Sequence, residues 1–329
     1  MDLISGFSAG LVFTLPLIPA AIGFYLALRC FKFPDLTVEG SFVFGLVITA
    51  YSIEKFDSYL PGFVLSCLGG AIFGSITGLL HVKLRVPSFA SGIITSFFGT
   101  TLNYYILHKA FNSTDQIQEH NLPNHGLFEY FTYLDRKSDF IGQFSFYQIL
   151  ALTVICVTTL ISVWLIVKSD FGRKLSMFGN NRSVAKIYTC NSDFFLVTGL
   201  AFTNLLVGFS GFLYSQIAQN ADISQGSTIL IPLLASVVIG EFTVNVFKKK
   251  NSIHYTAKPL LSRFFALSAA PFFGFLLYNV IVLIFSTLFL PGIESARNYY
   301  KYAISGLLIL LIMIFNNKNS PSKEQDELI

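Results

Sequence analysis

Charged side chains are scarce in this 329-residue sequence: Asp, Glu, Lys and Arg make up 12% of it, while hydrophobic residues make up 53%. A soluble domain carries about 25% charged residues. This composition, with a mean hydropathy of +0.63, therefore excludes an ordinary soluble domain and indicates a chain that crosses a membrane several times. The net charge of +4 is small, and we expect no nucleic-acid partner.

Sequence signals for metal, redox or nucleotide chemistry are also missing. The four cysteines show no paired spacing, and we interpret them as small apolar packing residues. No G-x-x-x-x-G-K-[ST] phosphate-binding loop occurs, so any ATP that drives this protein must bind another chain. The sequence thus predicts no catalytic residues, no metal site and no cofactor in this chain.

Ionisable residues are absent from the middle of the apolar runs, where carboxylates occur only near the ends, at Glu39 and Glu241. Carriers driven by ion gradients commonly place ionisable side chains near the bilayer centre. The pattern disfavours such carriers. A secondary carrier or channel for a small organic solute nevertheless stays an alternative, and a membrane assembly subunit that transports nothing is a third.

Nine stretches are long and apolar enough to form membrane-spanning helices, which need roughly 20 residues each. The predicted fold class is therefore an all-α polytopic membrane protein. The eighth span contains Pro271, where we predict a kink or a break. The nine spans are 4–28, 37–53, 60–81, 86–108, 144–167, 194–217, 228–247, 264–290 and 299–316.

Basic residues are distributed unevenly between alternate loops. With nine spans, 16 of the 22 Lys and Arg residues fall on one side of the membrane. Because cytoplasmic loops are enriched in Lys and Arg, this asymmetry predicts an outside N-terminus and a cytoplasmic C-terminus. No basic residue precedes the first apolar run and no small-residue cleavage site follows it, so we do not expect a cleaved signal peptide.

One transmembrane domain, 1–316, is predicted to hold nearly the whole chain. We assign 109–143 to a long outer loop, 168–193 to a cytoplasmic loop and 248–263 to a basic cytoplasmic linker. The remaining residues, 317–329, form a short polar tail that we expect to be flexible.

Small residues form stripes on two predicted helices. Three glycines repeat every four positions on the third span, which lets a neighbouring backbone approach closely: they are Gly70, Gly74 and Gly78. Four small or polar residues share one face of the sixth span: they are Asn204, Gly208, Gly211 and Ser215. We interpret this second stripe as a helix contact or, alternatively, as the lining of a pathway. In either case Asn204 needs a hydrogen-bond partner or water.

A run at the start of the second span, Phe33-Pro34-Asp35-Leu36-Thr37-Val38-Glu39-Gly40-Ser41-Phe42, places two carboxylates beside a proline and a glycine. Proline suits the first turn of a helix, and acids there complement the helix dipole. We therefore predict that Asp35 and Thr37 cap the second span and that Glu39 supports its first turn. As the alternative, the span is discontinuous, and Asp35 and Glu39 line the cytoplasmic side of a pathway.

The cytoplasmic loop carries five basic residues between 168 and 188. Asn181 or Ser183 could cap a short helix that continues through Tyr188. Such a helix would present one apolar face, formed by Val184, Ile187 and Tyr188. The pattern fits a helix that rests on anionic headgroups and equally one that docks on a protein.

Both motifs resemble a known family. The run 33–42 is similar to a helix-initiating motif in permease subunits of bacterial ABC importers, within the branched-chain amino acid and ribose permease superfamily. The nearest branch is the one for tryptophan and tyrosine uptake. Similar segments occur in order along about two thirds of the chain, at 77–81, 91–95, 203–204, 210–212, 234–241 and 274–278.

The cytoplasmic loop resembles the family's coupling-helix pattern, T-x-x-G-x-x-x-R-A-x-G-x-N-x-x-A-A-x-x-x-G-I. It departs from that pattern at Ser176, where Arg is usual, and at 189–190, where Gly-Ile is usual. It matches at Gly172, Gly179, Asn181 and Ala185. The coupling segment that the resemblance implies comprises Gly172, Arg173, Gly179, Asn181, Arg182, Val184, Ala185, Ile187 and Tyr188.

The resemblance implies an ABC importer permease in the bacterial cytoplasmic membrane. Such a subunit forms the translocation pathway as a dimer, here expected to be a homodimer. It is coupled to a separate ATPase, which binds ATP and Mg, and receives its solute from an extracytoplasmic substrate-binding protein. The implied solute is an amino acid such as tryptophan or tyrosine.

Overall fold

The computed structural model describes residues 10–111, 119–121, 127–128, 146–180, 192–250, 272–282, 284, 306 and 310. The first described residues are helical and lead through a 3-10 turn, Leu15–Leu17, into α1. The helices are α1 (Ile18–Cys30), α2 (Val38–Phe56), α3 (Leu60–Lys83), α4 (Ser88–Phe111), α5 (Phe146–Lys168), α6 (Asp170–Asn180), α7 (Ser192–Ala218), α8 (Gln225–Lys250) and α9 (Phe272–Val282). Two short strands, β1 (Glu119–Asn121) and β2 (Asn220–Asp222), pair antiparallel.

Helices follow the predicted spans closely. The second to seventh predicted spans each coincide with a helix whose ends lie within three residues of the prediction. The eighth is described over Phe272–Val282 and at 284, and Pro271 with its predicted kink lies outside the described residues. Since the ninth is described at only two positions, 306 and 310, the count of nine stays a prediction.

Among the described residues, five helices are long and apolar enough to cross a membrane: Gly10–Arg29, Leu60–Lys83, Phe146–Lys168, Asp193–Ala218 and Gln225–Thr243. The helices α2 and α4 have a similar length and more polar sequences. Their polar side chains are turned inward: Ser41, Thr49 and Ser52 of α2 and Asn103 of α4 are fully buried. Hydropathy alone therefore underestimates two helices whose polar groups face other helices.

The first of two compact units, Met1–Leu230, is organised around α2, which contacts α3, α4, α7 and β2. Glycines allow the backbones to approach. A Cβ on Gly45 would lie 3.0 Å from the Cα of Gly211, and a Cβ on Gly70 would meet the carbonyl oxygen of Asn204. Because no side chain fits at these crossings, α2, α3 and α7 meet backbone to backbone.

The second unit, Ile231–Ile329, contains the rest of α8 and the described part of α9. Here Gly274 lies against α8, where an added Cβ would be 2.7 Å from the backbone nitrogen of Gly240. Four buried side chains form the apolar contact between the two helices: Ala235, Ile239, Tyr278 and Val282.

Exposed basic residues collect at one end of the first unit, which we call the basic end. Aromatic contacts join neighbouring elements there. The ring centroids of Phe33 and His81 lie 5.3 Å apart, and those of Phe171 in α6 and Phe195 in α7 lie 5.6 Å apart. His81 Nδ1 is also 2.8 Å from the carbonyl oxygen of Val86. The exposed cations at or next to this end are Arg29, Lys32, Lys83, Arg85, Lys168, Arg173 and Lys174.

Candidate functional site

A buried polar network joins the start of α2 to α7. The side-chain amide of Asn204 donates to Asp35 Oδ2 at 2.6 Å, and the backbone N–H of Thr37 donates to Asp35 Oδ1 at 2.9 Å. The Ser41 hydroxyl donates to Asn204 Oδ1 at 2.8 Å. All four residues are fully buried. Neutral donors thus satisfy a carboxyl group that lies inside the protein.

The same region of α2 is tied to α3 and α4. The hydroxyls of Thr37 and Thr77 lie 2.6 Å apart, and the Asn103 amide donates to the carbonyl oxygen of Gly40 at 3.2 Å. Residues from four helices therefore converge within two turns of the start of α2. The sequence contained a signal for Thr77 and Ser41, since each is a small hydroxyl residue beside a glycine in a span, but it did not indicate their partners.

The capping prediction is met only by Asp35. Its carboxylate accepts the backbone N–H two residues on, at the N-cap Thr37, while Thr37 makes no side-chain cap. Thr37 instead turns its hydroxyl to Thr77. The physical reason is burial: a fully buried hydroxyl forms its hydrogen bond with the neighbouring helix that covers it. Glu39 lies in the first turn of α2 and is half-buried.

The predicted polar stripe of α7 lies in helix contacts. A Cβ on Gly208 would meet the carbonyl oxygen of Ser66 of α3, and one on Gly211 would meet that of Phe42 of α2. Ser215 is fully buried, and its hydroxyl donates to the carbonyl oxygen of Phe212 in its own helix at 2.8 Å. These placements describe packing, and lining of a pathway by Asp35, Glu39 and this stripe remains a prediction.

The glycine stripe of α3 faces α7. A Cβ on Gly74 would meet the carbonyl oxygen of Leu200, and one on Gly78 would lie 2.9 Å from the Cα of Val197. Together with Gly70, these glycines keep α3 against α7 from Asn204 down to the basic end.

The predicted cytoplasmic loop begins with α6, a helix that was not predicted from the sequence. Gly172 is buried at the tight turn from α5, where an added Cβ would be 2.5 Å from the carbonyl oxygen of Ile166. Leu175 is buried against Gly199 of α7. The predicted coupling residue Arg173 is exposed and forms an ion pair with Asp170, which lowers the pKa of that carboxyl group.

Other residues of the predicted coupling segment are described less fully or not at all. Gly179 lies in the last turn of α6. The predicted short helix and its residues Asn181, Arg182, Val184, Ala185, Ile187 and Tyr188 lie outside the described residues.

Apolar helices of spanning length, joined by internal polar contacts, define a multi-pass helical membrane protein. The chain belongs to the family described as "Branched-chain amino acid transport system / permease component", whose model matches residues 6–313. It is thus an ABC-type permease of the inner membrane, and the family is a transport component rather than an enzyme.

Three relatives illustrate the range of the family. The chain is 28% identical over 244 residues to a tyrosine transport system permease protein of Clostridioides difficile, covering 74% of this chain and 75% of that one. It is 25% identical over 247 residues to the nucleoside ABC transporter permease protein NupC of Lactococcus lactis, covering 70% and 74%. It is 26% identical over 208 residues to the inner membrane ABC transporter permease protein YjfF of Escherichia coli, covering 63% and 58%. No solved structure matches the chain.

Proposed function

We propose that this chain is the membrane subunit of an ATP-driven importer whose solute is an amino acid, with tyrosine as the first candidate. The observation that carries the proposal is the similarity to the C. difficile tyrosine permease over three quarters of both chains. A nucleoside is the second candidate, because the L. lactis relative is a nucleoside permease. Family membership disfavours the secondary carrier and the channel that composition alone left open.

The complete importer is proposed to contain two copies of this chain, two ATPase subunits and an extracytoplasmic substrate-binding protein. The absence of a phosphate-binding loop from the sequence supports a separate ATPase that holds ATP and Mg. The permease family supports both the ATPase and the binding protein as partners.

The proposal is tested by reconstitution. The permease, its ATPase and its binding protein are placed in proteoliposomes, and uptake of radiolabelled tyrosine is measured with and without ATP. We expect ATP-dependent uptake, with competition by unlabelled tyrosine and none by uridine. ATP-dependent uptake of radiolabelled uridine, with none of tyrosine, would select the nucleoside. Uptake that follows an ion gradient without ATP would contradict the importer itself.

The basic end is proposed to face the cytoplasm, with the N-terminus outside and the C-terminus inside. Clustering of exposed cations at the loops 31–37 and 84–87 and at α6 supports this orientation. A cysteine placed at Asn124 should react with an impermeant maleimide added to intact cells, whereas one placed at Asn180 should react only after the cells are opened. The reverse pattern would overturn the orientation.

The loop segment 173–188 is proposed to dock on the ATPase. Replacing Val184 and Ile187 by Asp should abolish co-purification of the ATPase, because two charges would enter an apolar contact face. Lys186→Asp, which adds a carboxylate on the opposite side of the predicted helix, is the matched control and should retain co-purification. Solute-stimulated ATP hydrolysis at the normal rate in the double variant would contradict the docking role.

A further inference from the structure

The chain reverses direction at the end of α7 and folds back along α2 within the first unit. Gln219 has a positive φ of 52°, which turns the backbone immediately after Ala218. The strand β2 follows, and α8 begins three residues after it, at Gln225. We call the stretch Asn220–Thr228 the re-entrant segment.

This re-entrant segment reaches deep along α2. Ala221 and Ile223 are buried in one apolar cluster with Val47 and other residues on one face of α2. At Gly226, an added Cβ would lie 2.5 Å from Val43 Cγ2 and 3.2 Å from the carbonyl oxygen of Glu39.

The distance that the segment reaches along α2, measured from Phe56 at the end of that helix, follows from the position of Glu39. Glu39 precedes Phe56, the last residue of α2, by 17 positions. At 1.5 Å per residue, the first turn of α8 therefore lies about 25 Å from that end of α2.

The start of α8 repeats the start of α2. Asp35-Leu36-Thr37 precedes α2, and Asp222-Ile223-Ser224 precedes α8. In both, Oδ1 of the aspartate accepts the backbone N–H two residues on, at 2.9 Å and 2.8 Å, and the helix begins at the next residue. Each helix then carries a Gly-Ser pair in its first turn.

The two repeated helix starts also touch, since Gly226 lies against the backbone of Glu39. Helices that begin within the depth of the membrane, in corresponding parts of a chain, surround the transported solute in many transporters. The first turns of α2 and α8 therefore form one shared surface of the kind that surrounds a solute in those transporters.

The re-entrant segment carries polar groups along this path beside α2. Ser224 and Ser227 are exposed, and Asp222 is half-buried with neutral donors around it: the Ser224 N–H, the Ser224 hydroxyl at 2.6 Å and the Gln225 amide at 3.3 Å. In a bilayer, irregular backbone and carboxylates are stable only where protein or water surrounds them. These polar groups therefore need protein or water as their surroundings, and part of the segment is covered by β1, which pairs with β2.

We propose that the re-entrant segment forms a wall of the aqueous translocation pathway, with the exposed part of Glu39 beside it. The proposal rests on the proposed transport function for the identity of the solute, while the presence of water at Ser224 and Ser227 is independent of it. Polar hydroxyls and two carboxylates at this wall suit a hydrated polar solute.

Thiol accessibility tests the proposal. Ser227→Cys and Ser224→Cys are introduced separately into a permease whose four native cysteines are replaced, assembled with its ATPase and binding protein. The matched control is Ile72→Cys, which is 57% exposed on α3 between Gly70 and Gly74 and so lies at the depth of Asn204. The probe is the charged, membrane-impermeant reagent MTSES, applied to both faces of the membrane.

We expect Ser227→Cys to react at least about tenfold faster than Ile72→Cys, because a thiol reacts as its thiolate, and one unit of pKa elevation in lipid removes nine tenths of it. Modification should also slow tyrosine uptake, and solute present in excess should protect the thiol. Equal, slow reaction of Ser227→Cys and Ile72→Cys would overturn the proposal, as would fast labelling that leaves uptake unchanged. If tyrosine is not transported, the labelling rates still decide whether water reaches the segment.

Discussion

Asp35→Leu is expected to remove most of the folded permease, whereas Asp35→Asn should retain most of it. Leucine leaves the Thr37 N–H without an acceptor inside the protein, and the Asn204 amide keeps only its hydrogen bond to the Leu200 carbonyl oxygen. The unsatisfied Thr37 N–H costs about 1–3 kcal/mol and the lost hydrogen bond from Asn204 about 0.5–1.5 kcal/mol. Together they remove a substantial part of the typical stability of about 5–15 kcal/mol.

Asparagine can preserve both contacts. Its carbonyl oxygen can accept the Thr37 N–H, and its amide can donate to Asn204 Oδ1 if the Asn204 side chain turns over. The Ser41 hydroxyl can then accept from Asn204 instead of donating to it. In this arrangement the hydrogen bond from the Asn204 side-chain amide to the Leu200 carbonyl oxygen is lost. We therefore expect a modest decrease in stability.

Yield of monodisperse protein and the melting temperature in detergent measure this effect. Glu39→Gln is the control for folding, because Glu39 is a half-buried carboxylate in the first turn of α2 and should tolerate the neutral side chain. An unchanged melting temperature in Asp35→Leu would show that the network does not stabilise the fold. Full uptake in Glu39→Gln would show that this carboxylate has no role in transport.

Gly208→Leu is expected to lower the folded yield and the uptake of tyrosine in equal proportion. The new side chain would meet the Ser66 carbonyl of α3, and a backbone atom cannot move aside as a flexible side chain can. Overpacking in a well-packed contact costs about 1–3 kcal/mol and more where backbones must separate.

Ala71→Leu is the matched control, because Ala71 is only partly buried and sits next to Gly70 on α3. It adds comparable bulk without entering the contact and should leave yield unchanged. Normal yield of Gly208→Leu with slow uptake would instead support the pathway-lining prediction for this residue.

Helix positions could be read from the sequence because length and apolarity decide them. The ends of α3, which begins at Leu60 as predicted, show how well the signal works. The sequence does not determine which element, or whether water, lies against a given face of a helix. The spacing of Asn204 and Gly208 gives one small polar face, and that pattern is the same for a pore wall and for a backbone contact.

The hydrogen-bond network escaped prediction for a similar reason. Asp35 and Asn204 are 169 positions apart, and nothing local to either residue specifies the other. The re-entrant segment had a local signal, the recurrence of Asp-Leu-Thr as Asp-Ile-Ser before a Gly-Ser pair, but its depth depends on the turn at Gln219 and on the contact of Gly226 with α2.

The glycine crossings between α2, α3 and α7 have a mechanical consequence. Where a neighbouring carbonyl oxygen leaves no room for a Cβ on a glycine, no side chain is present whose rotamer change could let one helix slide along another. These three helices should therefore move as one rigid body when the permease alternates between its two open states. The displacement must then fall on more loosely held elements such as α5, whose span is 17% buried within the chain.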